Sequence, residues 1–213
     1  MPHSLIEKGL PRVKKKIAPF NQKTLNPTLI EGYLKIDKLA YDKPLELQVV
    51  HGDSVWSDKI LNDLILENNH HSEKDKNSKK DILITITVEK KHSGQLDDFV
   101  FVFGKVKIIY PAECVRCLAA TQQEISCSLN TCFVKNSFED SPEYRDSTEI
   151  YINSQDRDLH FYKSNQIDIK SVILEEVYVN KNHFPLHNDD CRGLCPICGE
   201  NLNKSSCKHQ KGA

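Results

Sequence analysis

Residues 99–117 read Phe99-Val-Phe-Val-Phe-Gly-Lys-Val-Lys-Ile-Ile-Tyr110-Pro-Ala-Glu-Cys114-Val-Arg-Cys117. The run from Phe99 to Tyr110 is partly apolar on both faces of an extended chain, the pattern of a central strand. Gly104 in its interior predicts a bulge or bend. Upstream, Ile82, Ile84, Ile86 and Val88 alternate with Leu83, Thr85 and Thr87, and a turn is expected around Ser93-Gly94. Downstream, about Glu124 to Lys135, Ile125, Cys127, Leu129, Thr131 and Phe133 share one face while Cys132 takes the other. Cys127 and Cys132 therefore point opposite ways and cannot bridge each other in a regular strand. Three antiparallel strands follow, with Cys114-Val-Arg-Cys117 in the last connection. A hairpin tip suits a metal knuckle, because short turns there are already constrained.

Around this meander the periodicity changes. Ile30 to Ile36 and Leu45 to Val50 read as short extended pieces, broken near Asp42-Lys43-Pro44. Asp53-Ser54 offers a helix N-cap ahead of a stripe of Trp56, Ile60, Leu61, Leu64 and Ile65, in which Trp56 is a packing residue. Asp168 can cap a second helix that turns Ile169, Val172, Ile173 and Val177 toward a core and leaves Glu175 and Glu176 exposed. The expected fold class is α+β: an antiparallel β-sheet or partly open barrel with two or three packed helices and a Cys-rich zinc-knuckle C-terminus.

Residues 68–81 are polar throughout and read as a mobile insertion, with His70-His71 as exposed histidines. The net charge of −1 hides two blocks. Residues 1–28 carry Lys8, Arg12, Lys14, Lys15, Lys16 and Lys23 against Glu7, and read as a flexible basic arm. Residues 137–160 carry Glu139, Asp140, Glu143, Asp146, Glu149, Asp156 and Asp158 against Arg145 and Arg157, and read as a solvated loop. No stretch approaches the roughly 20 apolar residues of a membrane helix. The start of the chain has no apolar leader, so a reducing cytosol is expected and disulfides are not.

The second cysteine pair, Cys195-Pro-Ile-Cys198-Gly199, is the more specific. Its proline fixes φ inside the turn and its glycine can take φ > 0, which lets backbone N–H groups face the sulfurs. Paired thiolates at this spacing can grip one tetrahedral Zn²⁺ from a single turn. A dithiol redox site is the main competitor, but Cys114 lies between antiparallel strands, outside any βαβ setting. No Ser/His/Asp order, phosphate-binding glycine loop or His-Glu-x2-His motif occurs, so no enzyme is expected.

The order of these features carries a resemblance. A strand ends in Cys114-Val-Arg-Cys117-Leu118, an acidic stretch follows, and a helix opens at Ile167-Asp-Ile169 with Glu175-Glu176 inside. Then come His183-Phe-Pro-Leu186 and Cys191-Arg-Gly-Leu-Cys195-Pro-Ile-Cys198-Gly-Glu-Asn-Leu-Asn203. Over roughly residues 30–209 this resembles the YceD family, the large ribosomal RNA subunit accumulation proteins of bacteria and plastids. The resemblance implies a cytoplasmic, non-enzymatic ribosome-biogenesis factor that supports accumulation of large-subunit (23S) rRNA. Its partners would be large-subunit rRNA, a pre-ribosomal particle or a ribosomal protein, with no membrane and no small-molecule substrate. The chain departs from the family in the polar insertion at 68–81 and in Cys207-Lys208-His209, where many members end in Cys-x-Cys.

Residues 29–213 are thus expected to form a single YceD-like domain in which 187–213 is the Cys-rich zinc element. Two ligand sets stay open. The local one is Cys191, Cys195, Cys198 and Cys207, which spacing favours. The long-range one joins Cys114 and Cys117 to Cys195 and Cys198, which gives the Arg-flanked first pair a purpose and ties the tail to the sheet. The long-range quartet is the expected site, with Cys191, Cys207 and His209 as alternates and no second metal. Arg12, Lys14, Lys15 and Lys16 are the candidate phosphate contacts. A zinc-dependent nucleic-acid regulator would need a basic recognition helix, and the 168–179 helix offers only Lys170 with two acids.

Overall fold

A computed structural model describes residues 29, 31–68 and 78–210. Its elements are β1 (Tyr33–Lys35), β2 (Leu45–Val50), α1 (Val55–Glu67), β3 (Asp81–Ser93), β4 (Asp97–Glu113), β5 (Ala120–Lys135), β6 (Glu149–Ile152), β7 (Gln155–Tyr162), β8 (Gln166–Asp168) and α2 (Ile169–Asn180). The main sheet has the order β2-β3-β4-β5-β7-β6, and β1 pairs separately with β8. All pairings are antiparallel except β5 with β7, which runs parallel from Thr131↔Asp158 to Lys135↔Tyr162. The fold is α+β.

β4 lies at the centre because it has something to bury on both sides. Val100, Val102, Val106, Ile108 and Tyr110 face the main core, into which α1 sends Trp56, Ile60, Leu61 and Leu64, and α2 sends Ile169, Val172, Ile173 and Val177. Phe99 and Phe101 face a second core with Cys132, Val134, Ile150 and Leu159. Further along, Lys105 and Lys107 leave the outer face exposed, before Tyr110, Pro111 and Ala112 are buried again near the strand's end. Gly104 does not introduce a bulge. The ladder runs through it unbroken, Ile86↔Gly104↔Leu129, and the missing side chain permits close approach: a Cβ there would lie 2.1 Å from the Thr85 carbonyl oxygen.

The helix caps follow the sequence. Ser54 Oγ accepts from Ser57 N at 3.4 Å, and Asp168 Oδ1 accepts from Ser171 N at 3.0 Å, satisfying N–H groups the helices leave free. Trp56 is buried and donates its Nε1–H to Leu29 O at 2.8 Å. Glu67 accepts from Tyr178 Oη at 2.6 Å and pairs with Lys181, joining the ends of the two helices. Of the polar insertion, Asn68 ends α1 and Asp81 opens β3, while 69–77 lie outside the described residues together with the basic arm. Among the described residues no helix is long and apolar enough to cross a membrane.

The acidic segment is not a loop. Within 137–160, β6 and β7 extend the main sheet, and Ile150 and Leu159 are buried, with Phe138, Tyr144 and Ile152 packed beside them. Its carboxylates occupy the outward positions: Glu149 and Asp156 are exposed. Charge density alone reads as solvation, but widely spaced apolar residues suffice to cover the aromatic face of β4.

Candidate metal centre

Two turns with one backbone plan stand at the Cys-rich end. In the first, Cys114 N donates to Ala119 O at 2.8 Å and Leu118 N to Cys114 O at 2.9 Å. In the second, Cys195 N donates to Glu200 O at 2.8 Å and Gly199 N to Cys195 O at 2.9 Å. The residue after each second cysteine has positive φ, +60° at Leu118 and +74° at Gly199. The first turn closes β4 and β5, whose ladder ends at Glu113↔Ala120.

The chain leaving α2 folds back over that tip. Asn182 Nδ2 donates to Gln123 Oε1 at 3.1 Å, Val115 N to Pro185 O at 3.0 Å and Thr121 Oγ1 to Leu186 O at 3.4 Å. These bonds place His187 and Cys191 against the first cysteine pair. Cys114 and Cys191 sulfurs lie 3.7 Å apart, and Cys117 Sγ lies 3.2 Å from His187 Nδ1. Cys114, Cys117 and Cys191 are buried, with Ala119, Leu186 and Leu194 packed around them. Arg116 has a purpose beyond charge: its Nη1 donates to Cys191 O at 3.1 Å and its carbonyl accepts from Leu194 N at 3.0 Å. Gly193, with φ +75°, lies where a Cβ would meet Arg116 O at 3.1 Å, so the two segments touch through backbone.

The second cysteine pair turns elsewhere. Cys195 and Cys198 group with Cys207 and His209, and Cys195 Sγ lies 3.9 Å from His209 Nδ1. Within each group of four, all ligand atoms lie within 4.8 Å of one another. Zn–S distances near 2.3 Å require sulfurs roughly 3.8 Å apart around a tetrahedral ion, so the spacing and the donor types both fit. Either cluster could hold a metal ion.

The expected quartet of Cys114, Cys117, Cys195 and Cys198 is therefore divided between two clusters. Each hairpin aims its sulfurs at a different pair of completing residues, and Cys191 belongs with the first hairpin, which divides the local alternative as well. The alternates Cys191, Cys207 and His209 all fall within the two clusters. His187 was missed; its signal is a His-x3-Cys spacing ahead of Cys191. Arg12, Lys14, Lys15 and Lys16 lie outside the described residues.

The thiols differ in ionisation. Burial pushes the Cys114 thiol up, but hydrogen bonds from the His187 ring and from backbone N–H groups of His187, Arg116 and Cys117 outweigh it and bring the pKa down to about 5. Backbone N–H groups of Cys198 and Ile197 bring Cys195 down to about 6. Thiolate is the form a metal takes. Cys127 and Cys132 lie in separate cores, where burial pushes them up to about 11 and about 12; they are inert packing residues.

The sequence pattern of the family described as "Large ribosomal RNA subunit accumulation protein YceD" matches residues 102–213, more than half of the chain, from β4 through both clusters. An uncharacterized protein of Mycobacterium leprae is 30% identical over 103 residues, 48% of this chain and 43% of that protein, so the chain spans less than half the length of that relative. No solved structure matches. With its central strand, its acidic extension, its second helix and both cysteine hairpins inside the matched region, the chain belongs to the YceD family of large ribosomal RNA subunit accumulation proteins.

Proposed function

We propose that this protein is a cytoplasmic, non-enzymatic ribosome-biogenesis factor that supports the accumulation or processing of large-subunit (23S) rRNA, with a structural Zn²⁺ held by Cys114, Cys117, His187 and Cys191. The observation that carries the proposal is the family match, which covers both cysteine clusters together with most of β4 and all of β5 to β8 and α2. The donor set supports the non-catalytic part. Four protein ligands complete a tetrahedron and leave no open position for water or substrate, which is the mark of a structural site. When bound, zinc would supply cross-linking strength. The residues then fasten the segment after α2 to the β4–β5 tip, closing a loop that contains β5, β6, β7, β8 and α2.

In this reading the folded domain presents a surface to large-subunit rRNA, to a precursor particle or to a ribosomal protein, and Arg12, Lys14, Lys15 and Lys16 add phosphate contacts. The test is sedimentation of a tagged full-length chain through a sucrose gradient, with RNA sequenced from its fractions. Co-migration with large-subunit precursors, weakened by neutralising Lys14, Lys15 and Lys16 and by added salt, is the expected result. A chain that stays at the top of the gradient, free of rRNA, contradicts the proposal.

A further inference from the structure

We infer that Cys195, Cys198, Cys207 and His209 hold a second metal ion of the zinc class, bound independently of the first, so that each chain carries two.

Geometry comes first. Three sulfurs and an imidazole nitrogen converge within 4.8 Å, and every described cysteine is free. Such convergence needs a cause, and apolar burial does not provide one. Pro196, Ile197, Cys198, Gly199 and Glu200 are all exposed, as are residues 203–206, and Ile197 turns 71% of its surface to solvent. Only Cys195 of this hairpin is buried. A segment with so little core to bury is not held by the hydrophobic effect, and small elements of this kind are normally fixed by metal.

The backbone is nonetheless tightly wound to bring the last two ligands home. Lys204 N and Ser205 N both donate to Asn201 O, at 3.0 and 3.2 Å, and Ser205 Oγ donates to Glu200 Oε1 at 2.6 Å. This turn reverses the chain after Asn203 and returns Cys207 and His209 over the hairpin. The hydrogen-bonded plan of the Cys195 hairpin repeats that of the Cys114 hairpin, so the same unit occurs twice, each copy accompanied by one cysteine and one histidine from outside.

Three thiolate-forming groups with one imidazole select a soft or borderline cation and disfavour Mg²⁺ and Ca²⁺, which take oxygen ligands. The two sites share no ligand, hence their independence. They are joined through backbone and one side chain: Leu202 N donates to Gly193 O at 3.0 Å, and Asn203 Nδ2 reaches Cys191 Sγ at 3.5 Å. The outer cluster is the more open, with Cys198 and His209 exposed and Cys207 half-buried, whereas all three cysteines of the inner cluster are buried. A chelator therefore reaches the outer ion first.

The inference rests on the inner zinc site only for its total count, and its test separates the two. Full-length protein purified under reducing conditions, without added chelator, is measured for zinc by mass spectrometry and then exchanged with Co²⁺, whose visible absorption distinguishes three-sulfur-one-nitrogen from four-sulfur coordination. The expected result is two zinc ions per chain and a three-sulfur-one-nitrogen spectrum. Cys198→Ser should fall to one ion with an unchanged far-ultraviolet circular dichroism spectrum, and Cys207→Ser should do the same. Cys191→Ser should lose the inner ion and keep the outer. One zinc per chain, unaffected by Cys198→Ser and Cys207→Ser, would overturn the second site while leaving the inner one standing. One zinc lost equally in Cys117→Ser and Cys198→Ser, with a four-sulfur spectrum, would show a single shared site and overturn both readings. A disulfide between Cys198 and Cys207 in a zinc-free outer cluster would also overturn the inference.

Discussion

At Leu118 the chain adopts φ +60°, a conformation that Gly199 takes in the equivalent hairpin without steric conflict. A side chain in the left-handed region costs roughly 1–2 kcal/mol, and leucine is 62% exposed there, so little burial offsets the strain. Replacing Leu118 with glycine should leave stability unchanged or raise it by up to about 1 kcal/mol, because relief of strain exceeds glycine's extra chain entropy. Gly199→Ala should cost about 1 kcal/mol by the same argument, even though nothing lies within 4 Å of the added methyl. Urea denaturation of the metal-loaded protein checks both. Asp98 gives a pH-dependent case. Burial pushes its carboxyl up, but hydrogen bonds from Tyr41, His92 and Lys90 outweigh it and bring the pKa from 3.8 to about 2. A depressed pKa means stability that is present above about pH 4 and lost as pH falls through about 2. The stability gap between wild type and Asp98→Asn should therefore be about 1–2 kcal/mol at pH 7, after allowance for partial solvent screening, and should shrink below pH 4. A gap independent of pH would show that the ion pairing of Asp98 with Lys90 contributes nothing. The candidate ligand cysteines were legible in the sequence because cysteine pairs at this spacing have few other uses. Their partition was not, since spacing along the chain does not say which residues fold back over which hairpin, and a lone histidine such as His187 carries no paired motif of its own.

The meander of β3, β4 and β5, the two helices and both helix caps were readable, because their apolar residues repeat with periods of two or 3.6 and Ser54 and Asp168 stand where caps are needed. The strands in the acidic segment were not. β6 is four residues long, and the parallel pairing of β5 with β7 joins strands separated by a crossover that no local signal marks. What the sequence did contain was an apolar set at wide intervals, buried Ile150 and Leu159 with half-buried Phe138 and Tyr144, packed with Phe99 and Phe101. Leu159→Ala should therefore destabilise the protein by about 2–4 kcal/mol, as truncation in a core does, with a matching fall in the urea midpoint. Were 137–160 a solvated loop, the substitution would change stability by less than about 0.5 kcal/mol.

Across the whole molecule, the candidate metal centre sits at the tip of the β4–β5 hairpin, just beyond Tyr110 and Ala112 of the main core and past the stretch where Lys105 and Lys107 are exposed. The inner cluster lies where the returning chain meets that tip, through Val115 N to Pro185 O and Leu194 N to Arg116 O. If this clamped end is what large-subunit assembly requires, loss of one inner ligand should reproduce loss of the protein. The decisive measurement is the ratio of large- to small-subunit rRNA in cells lacking the protein, complemented with wild type or with Cys191→Ser at matched protein abundance. The account predicts a depressed ratio in the deletion, restoration by wild type and failure of Cys191→Ser to restore it. A ratio that deletion leaves unchanged would contradict the account.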